Sequence, residues 1–226
     1  MKHQYIKQLF LFATFAFLLA MLPISKAVAA GLAPPQIPIE KASGKIKEKL
    51  KNKEFAKDFI KVNNFVSEVI SPYTDFDKIA SLVVGKYWRK ATADEKENFK
   101  REFKKLLVRT YSRAFYDFDQ WSIRFLPLNM ENAVKKVKNK ETVIVKTEIL
   151  QPGKPPFSLN YRMWKVNGDW KVYDMMIEGI SLVKNYRTSI GARIKQPGAS
   201  LATVTEYLAK KNSDALASKG TNDDLS

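Results

Sequence analysis

Asp174 and Glu178, with Tyr161 beside them, are the side chains best placed to do chemistry in this sequence. They sit in a segment that reads as a β-hairpin: two runs of period-two alternation, Phe157–Val166 and Asp169–Ile180, flank Asn167-Gly168, a turn pair that favours positive φ at both positions. Centring the hairpin there places Phe157, Leu159, Tyr161 and Met163 on one face with Val172, Asp174, Met176 and Glu178, and sets Tyr161 opposite Asp174. That face is the more apolar and should look toward the core. A carboxylate on it must be paired, hydrogen-bonded or in contact with a cavity. One reading makes Asp174 and Glu178 structural anchors. The other makes Asp174 a general base with Tyr161 as an oxyanion donor. Carboxylates four residues apart on a strand lie about 13 Å apart. A glycosidase pair needs at most about 9.5 Å.

The rest of the sequence offers catalysis little. It contains no cysteine, and its one histidine is His3. Triads, thiol redox chemistry and His or Cys metal sites are thereby removed once the first residues are cleaved. Cleavage is expected: Lys2 and Lys7 precede an apolar stretch from Leu9 to Leu22, followed by the small-residue pattern Ala27-Val28-Ala29. That stretch is shorter than the roughly twenty residues of a bilayer span. Residues 1–29 read as a signal peptide, 30–39 as a linker with three prolines, 40–212 as a single domain and 213–226 as a disordered tail. Losing Lys2, Lys7 and Lys26 lowers the net charge from +16 to about +13. On an exported protein such charge points to anionic lipid headgroups or an acidic protein rather than nucleic acid. The run Lys41–Lys57 reads as a solvated helix face.

The elements that must position these residues follow from periodicity. A first helical stripe holds Phe55, Phe59, Val62, Val66, Val69 and Ile70. A second, opened by Thr74, holds Phe76, Ile79, Ala80, Val83, Val84 and Tyr87. A third opens on a capping box, Thr92 with Glu95, and carries Phe99, Phe103, Leu106, Leu107, Phe115 and Phe118. From Trp121 the period becomes two, through Ile123 and Phe125 and then Val143, Val145, Thr147 and Ile149. Gln151–Pro156 reads as a loop. Helices return from Leu182 to Ile194 and around Leu201–Leu208. The order gives an α+β fold: N-terminal helices on a curved antiparallel sheet of about four strands, then C-terminal helices. The aromatic supply of the third helix and first strand suits either a filled core or an apolar cavity.

Phe76-Asp77-Lys78-Ile79-Ala80-Ser81-Leu82-Val83-Val84-Gly85-Lys86-Tyr87-Trp88, with Ala91–Glu95 and Phe99, resembles the helical half of the MlaC, or toluene-tolerance (Ttg-type), proteins. Trp170–Val183, continuing to Asn185-Tyr186-Arg187, resembles their second motif. The resemblance implies a strongly twisted sheet with an apolar cavity between helices and sheet. It implies a periplasmic carrier of glycerophospholipid that buries the acyl chains, leaves the headgroup largely outside and serves outer-membrane lipid asymmetry. The implied partners are an inner-membrane ABC transporter complex with an MCE-domain subunit and an outer-membrane lipoprotein–porin complex. No cofactor is implied beyond the lipid cargo. A monomer is expected, since such a carrier diffuses freely. On this resemblance Val83, Val84, Tyr87, Phe115 and Phe118 would form the helical wall. Ile123, Phe125, Val143, Val145, Leu159, Tyr161, Met163, Val172 and Met176 would form the sheet wall. A ligand-free adaptor and an acid–base enzyme remain the alternatives.

Overall fold

The fold is that of a computed structural model, which describes residues 31–117 and 120–217, without the side chains of 114–117. The chain divides between Leu32 and Ala33, and everything below belongs to the unit beginning at Ala33. The signal peptide read over 1–29 lies outside the described residues.

Helix α1 (Ile37–Leu50) starts inside the stretch read as linker, with proline in its first turn, where no hydrogen bond is lost. Gln36 anchors it: its Oε1 accepts from Ala33 N at 2.8 Å and its Nε2 donates to the Leu126 carbonyl at 3.0 Å. The first helical stripe is cut in two. A short α2 (Lys53–Ala56) is followed by α3 (Phe59–Ile70), whose N-cap Asp58 accepts from Lys61 N. Asp75, rather than Thr74, caps α4 (Phe76–Val84). The capping box of α5 (Ala93–Asp117) forms as read, with Thr92 N to Glu95 Oε2 at 2.8 Å and Glu95 N to Thr92 Oγ1 at 3.2 Å.

The sheet has seven strands among the described residues, where about four were expected. They are β1 (Ser122–Phe125), β2 (Lys135–Val137), β3 (Lys140–Val145), β4 (Thr147–Gln151), β5 (Lys154–Val166), β6 (Asp169–Ile177) and β7 (Ile180–Ser181). A short helix, α6 (Met130–Ala133), follows β1. The surplus has local causes. Lys146 breaks the Val143–Ile149 run, where buried Thr147 donates its N–H to Asn160 Oδ1 at 3.1 Å and its hydroxyl to the Leu159 carbonyl. Both halves then pair along the same edge of β5. Lysine-rich β2 has no alternation to betray it. The expected loop at Gln151–Pro156 shrinks to a turn, and β5 begins at Lys154.

The hairpin at Asn167-Gly168 forms with both φ positive, and near the turn the strands pair as read: Met163 with Val172, Trp164 with Lys171. Between Arg162 and Met163 a β-bulge shifts the register by one residue. Tyr161 therefore faces Met175, and Asp174 faces Arg162. Helices α7 (Leu182–Ile194) and α8 (Leu201–Ala217) close the unit; α8 continues past Ser213 into the stretch read as tail, and residues 218–226 lie outside the described residues.

Three clusters make the core. One joins α4, α5, α7 and α8 around Phe99 and Phe103. A second joins α1 and α3 to Val108, Trp121 and Ile149. The third sits at the hairpin end of the sheet around Val145, Met163 and Trp170, with Ile39 from α1.

Candidate functional site

Between these clusters lies a cavity of about 260 Å³. Helix α1 contributes Pro38, Ile39, Ala42, Ser43 and Ile46; α3 contributes Val66 and Ile70. Phe76 and Ile79 come from α4. Helix α5 turns Phe103, Leu107, Val108, Tyr111 and Ser112 inward, and α7 adds Leu182, Val183 and Tyr186. The sheet side is Ile123, Ile149, Phe157, Leu159, Tyr161, Val172, Met175 and Ile177. Such a surface gives water few partners and favours hydrocarbon.

Two phenols on this wall are held neutral and its carboxylate is engaged, while the buried Ser112 Oγ has no hydrogen-bond partner among the described residues. Burial pushes the Tyr161 phenol well above its ordinary range. Burial, reinforced by its neighbour Tyr186, does the same to Tyr111. Both stay protonated at neutral pH. Among the described residues Asp174 is the one carboxylate on the lining. It is 3% exposed, with Oδ2 accepting from Ser181 Oγ at 2.6 Å and Oδ1 accepting from Val183 N at 3.0 Å. Ser181 in turn caps α7 by accepting from Lys184 N at 3.1 Å, so the negative charge sits at a helix N-terminus. Arg162 Nη1 lies 3.6 Å from Asp174 Oδ2. These contacts occupy the carboxylate as an anchor between β6 and α7. Glu178, read as inward, is exposed in the β6–β7 turn, where its Oε1 accepts from Ser158 N. With Tyr161 opposite Met175, the base-and-oxyanion arrangement does not assemble. Among the described residues no group of three His, Cys, Asp or Glu side chains could hold a metal ion.

The structure brings four of the sequence-derived candidates onto the lining: Ile123, Leu159, Tyr161 and Val172. Val143, Val145 and Met163 are buried instead in the third cluster, with Phe125 packed against it. Val83 and Val84 are buried in the first cluster, with Tyr87 packed against it. Met176 pairs with Asn160 on the other side of the pleat from Leu159 and Tyr161, because the bulge exchanges the faces of β6 beyond Asp174. Met175 and Ile177 take the inward places. The side chain of Phe115, and Phe118 entirely, lie outside the described residues. The largest omission from the sequence reading is the inward face of α1, a segment read only as a solvated helix face. Its inward residues Ile39, Ala42, Ser43 and Ile46 fall at i, i+3, i+4 and i+7, a pattern visible in the sequence but overlaid by lysines.

The model of the MlaC protein family matches residues 40–210. The chain belongs to the MlaC family. Among relatives, it is 25% identical over 154 residues to the intermembrane phospholipid transport system binding protein MlaC of Haemophilus influenzae, covering 66% of this chain and 69% of that one. It is 24% identical over 137 residues to the toluene tolerance protein ttg2D of Pseudomonas putida, covering 60% of each. A solved structure of a phospholipid-binding protein from Ralstonia solanacearum, in complex with a phospholipid, superimposes with a TM-score of 0.70 at 23% identity. That match covers 81% of this chain and 99% of the other, and establishes the shared α+β fold. In this MlaC-family chain, no helix among the described residues is long and apolar enough to cross a membrane.

Proposed function

We propose that this chain is a periplasmic phospholipid carrier that buries acyl chains in the cavity between α1, α3, α5 and the sheet. The observation that carries the reading is the lining itself: apolar side chains from two layers, neutral phenols, and one carboxylate already committed to Ser181 and α7. Moving a lipid through water means hiding each methylene at about 0.8 kcal/mol, and an apolar cavity does this without a catalytic group. The named relatives support the same reading, since one is a phospholipid transport binding protein and the structural neighbour holds a phospholipid. The chain is exported by cleavage of residues 1–29 and works as a monomer. It exchanges lipid with an inner-membrane ABC transporter bearing an MCE-domain subunit and with an outer-membrane lipoprotein–porin complex. The cargo's headgroup stays in water, so headgroup selectivity is weak.

The test is native mass spectrometry of protein purified from periplasm without detergent, followed by loading with phospholipid vesicles. A stoichiometric adduct that fragments to phospholipid is expected, on a polypeptide beginning at residue 30. A bare mass that persists after loading would refute the carrier and favour the ligand-free adaptor.

A further inference from the structure

A second concavity, of about 340 Å³, lies between α3, α5 and α8. Helices α3 and α5 turn different residues to it than to the lipid cavity, sharing only Val108. Its character is opposite. Arg101, Lys104, Lys105 and Arg109 rise along α5 at helical spacing, with Lys104 Nζ donating to Ser71 Oγ at 2.8 Å and Arg109 only 5% exposed, and among the described residues none of the lining is acidic. Glu102, a carboxylate bonded to three residues of the lining, is 5% exposed and accepts from Lys105 Nζ at 2.9 Å, Arg101 Nε at 3.2 Å and Asn212 Nδ2 at 3.1 Å. The side chains of Arg101 and Lys105 are still more than half exposed, with N–H donors toward solvent. Asn212 is 3% exposed and its Oδ1 has no hydrogen-bond partner among the described residues, an arrangement that costs stability until a donor reaches it. At the rim, Ile60 and Leu216 expose 52% and 39% of their surfaces.

We infer that this groove docks an acidic segment of a partner protein, one carrying carboxylates and an apolar side chain on an extended or helical peptide. Each feature selects that chemistry. Arg101 and Lys105, whose side chains stay more than half exposed, call for anions and steer their approach. The orphan Asn212 oxygen calls for an N–H, which a peptide supplies and an ionised phosphodiester or free carboxylate does not. Ile60 and Leu216 call for an apolar contact beside the charges, the mixture typical of protein interfaces. The concavity itself disfavours a flat lipid surface, which cannot reach the buried Asn212. The inference stands whether or not the other cavity carries phospholipid.

The experiment titrates the purified protein with a short fluorescein-labelled peptide of glutamate, leucine and glycine. Anisotropy gives the affinity, and side-chain amide resonances of Asn63, Asn64 and Asn212 report the place. Expected is saturable binding that shifts those amides. Arg101→Glu with Lys105→Glu should weaken it by about tenfold or more, and Ile60→Ala by a smaller factor at unchanged charge. Lys184→Glu with Lys195→Glu, the same charge change on exposed positions of α7 and its C-cap, should leave it nearly unchanged. Three results would overturn the inference: no saturable binding, equal weakening by the α7 control, or displacement of the peptide by phosphatidylglycerol vesicles that shift the same amides.

Discussion

At the scale of single residues, the two most informative groups are carboxylates that do structural work. Asp174 satisfies the hydroxyl of Ser181 and the N–H of Val183, two donors that its removal would leave buried. Asp174→Ala should therefore cost about 3 kcal/mol, read as a lower urea midpoint at unchanged slope, while any lipid that copurifies with the folded variant stays the same. An acid–base role would show the reverse, with stability kept and activity lost. Glu102 makes a pH prediction. Burial alone would raise its pKa, but hydrogen bonds from Lys105, Asn212 and Arg101 outweigh burial and hold it below the ordinary glutamate value. A carboxyl depressed in the folded state adds stability that is complete above its unfolded value, about 4.3, and is lost as pH falls through the folded value. Thermal midpoints should drop on acidification below about pH 4.3, and Glu102→Gln should flatten that part of the slope.

At the scale of elements, the decisive feature is one extra residue in β6. The alternation and the Asn167-Gly168 turn were legible and gave the correct pairing as far as Met163 and Val172. A bulge leaves no mark in a period-two pattern, because Tyr173, Met175 and Ile177 read as acceptably on either face as Val172, Asp174 and Met176. Beyond it the inward set changes from Met176 to Met175 and Ile177. Substitution separates the two registers: Met175→Glu should abolish lipid retention, while Met176→Glu should retain it, as judged by native mass spectrometry of variants with matching far-UV spectra. Equal loss in both would mean that the bulge does not form in solution. The inward face of helix α1 was hidden for a different reason. Its inward stripe, Ile39, Ala42, Ser43 and Ile46, is interleaved with Lys41, Lys45, Lys47 and Lys49, and composition overwhelmed periodicity. Where several independent signals agreed, as in the Thr92–Glu95 box followed by the aromatic stripe of α5, sequence and structure coincide. Cavity lining was the least legible property. Val145 and Leu159 are both inward-facing strand residues, and tertiary packing decides which is core: Ile39, Leu128, Met130 and Ala133 close over the cluster of Val145, while Leu159 faces the cavity.

At the scale of the whole molecule, the unit places hydrocarbon-like space where a filled core would have been more stable. A cavity forfeits the packing contacts its lining would otherwise make, and a cavity-lining methylene left unpartnered loses stability in proportion to the volume left empty. Cargo restores those contacts. A ligand that binds the folded chain and not the unfolded one must raise stability by mass action, about 2.7 kcal/mol at a free concentration about 100 times its Kd. The lipid-free protein should therefore melt at a lower temperature than the loaded one. Adding a short-chain phosphatidylcholine below its critical micelle concentration should raise the midpoint progressively with concentration. Ile46→Glu introduces a charge among Val66, Val108 and Trp121 and should lower the starting midpoint. It should also abolish the lipid-dependent rise, because the carboxylate would have to be desolvated beside the acyl chain. Arg101→Glu with Lys105→Glu acts at the other groove and should keep the full rise. A melting temperature indifferent to lipid in the unsubstituted protein would mean that the cavity is not where cargo binds. A rise that persists in Ile46→Glu would place the cargo away from α1.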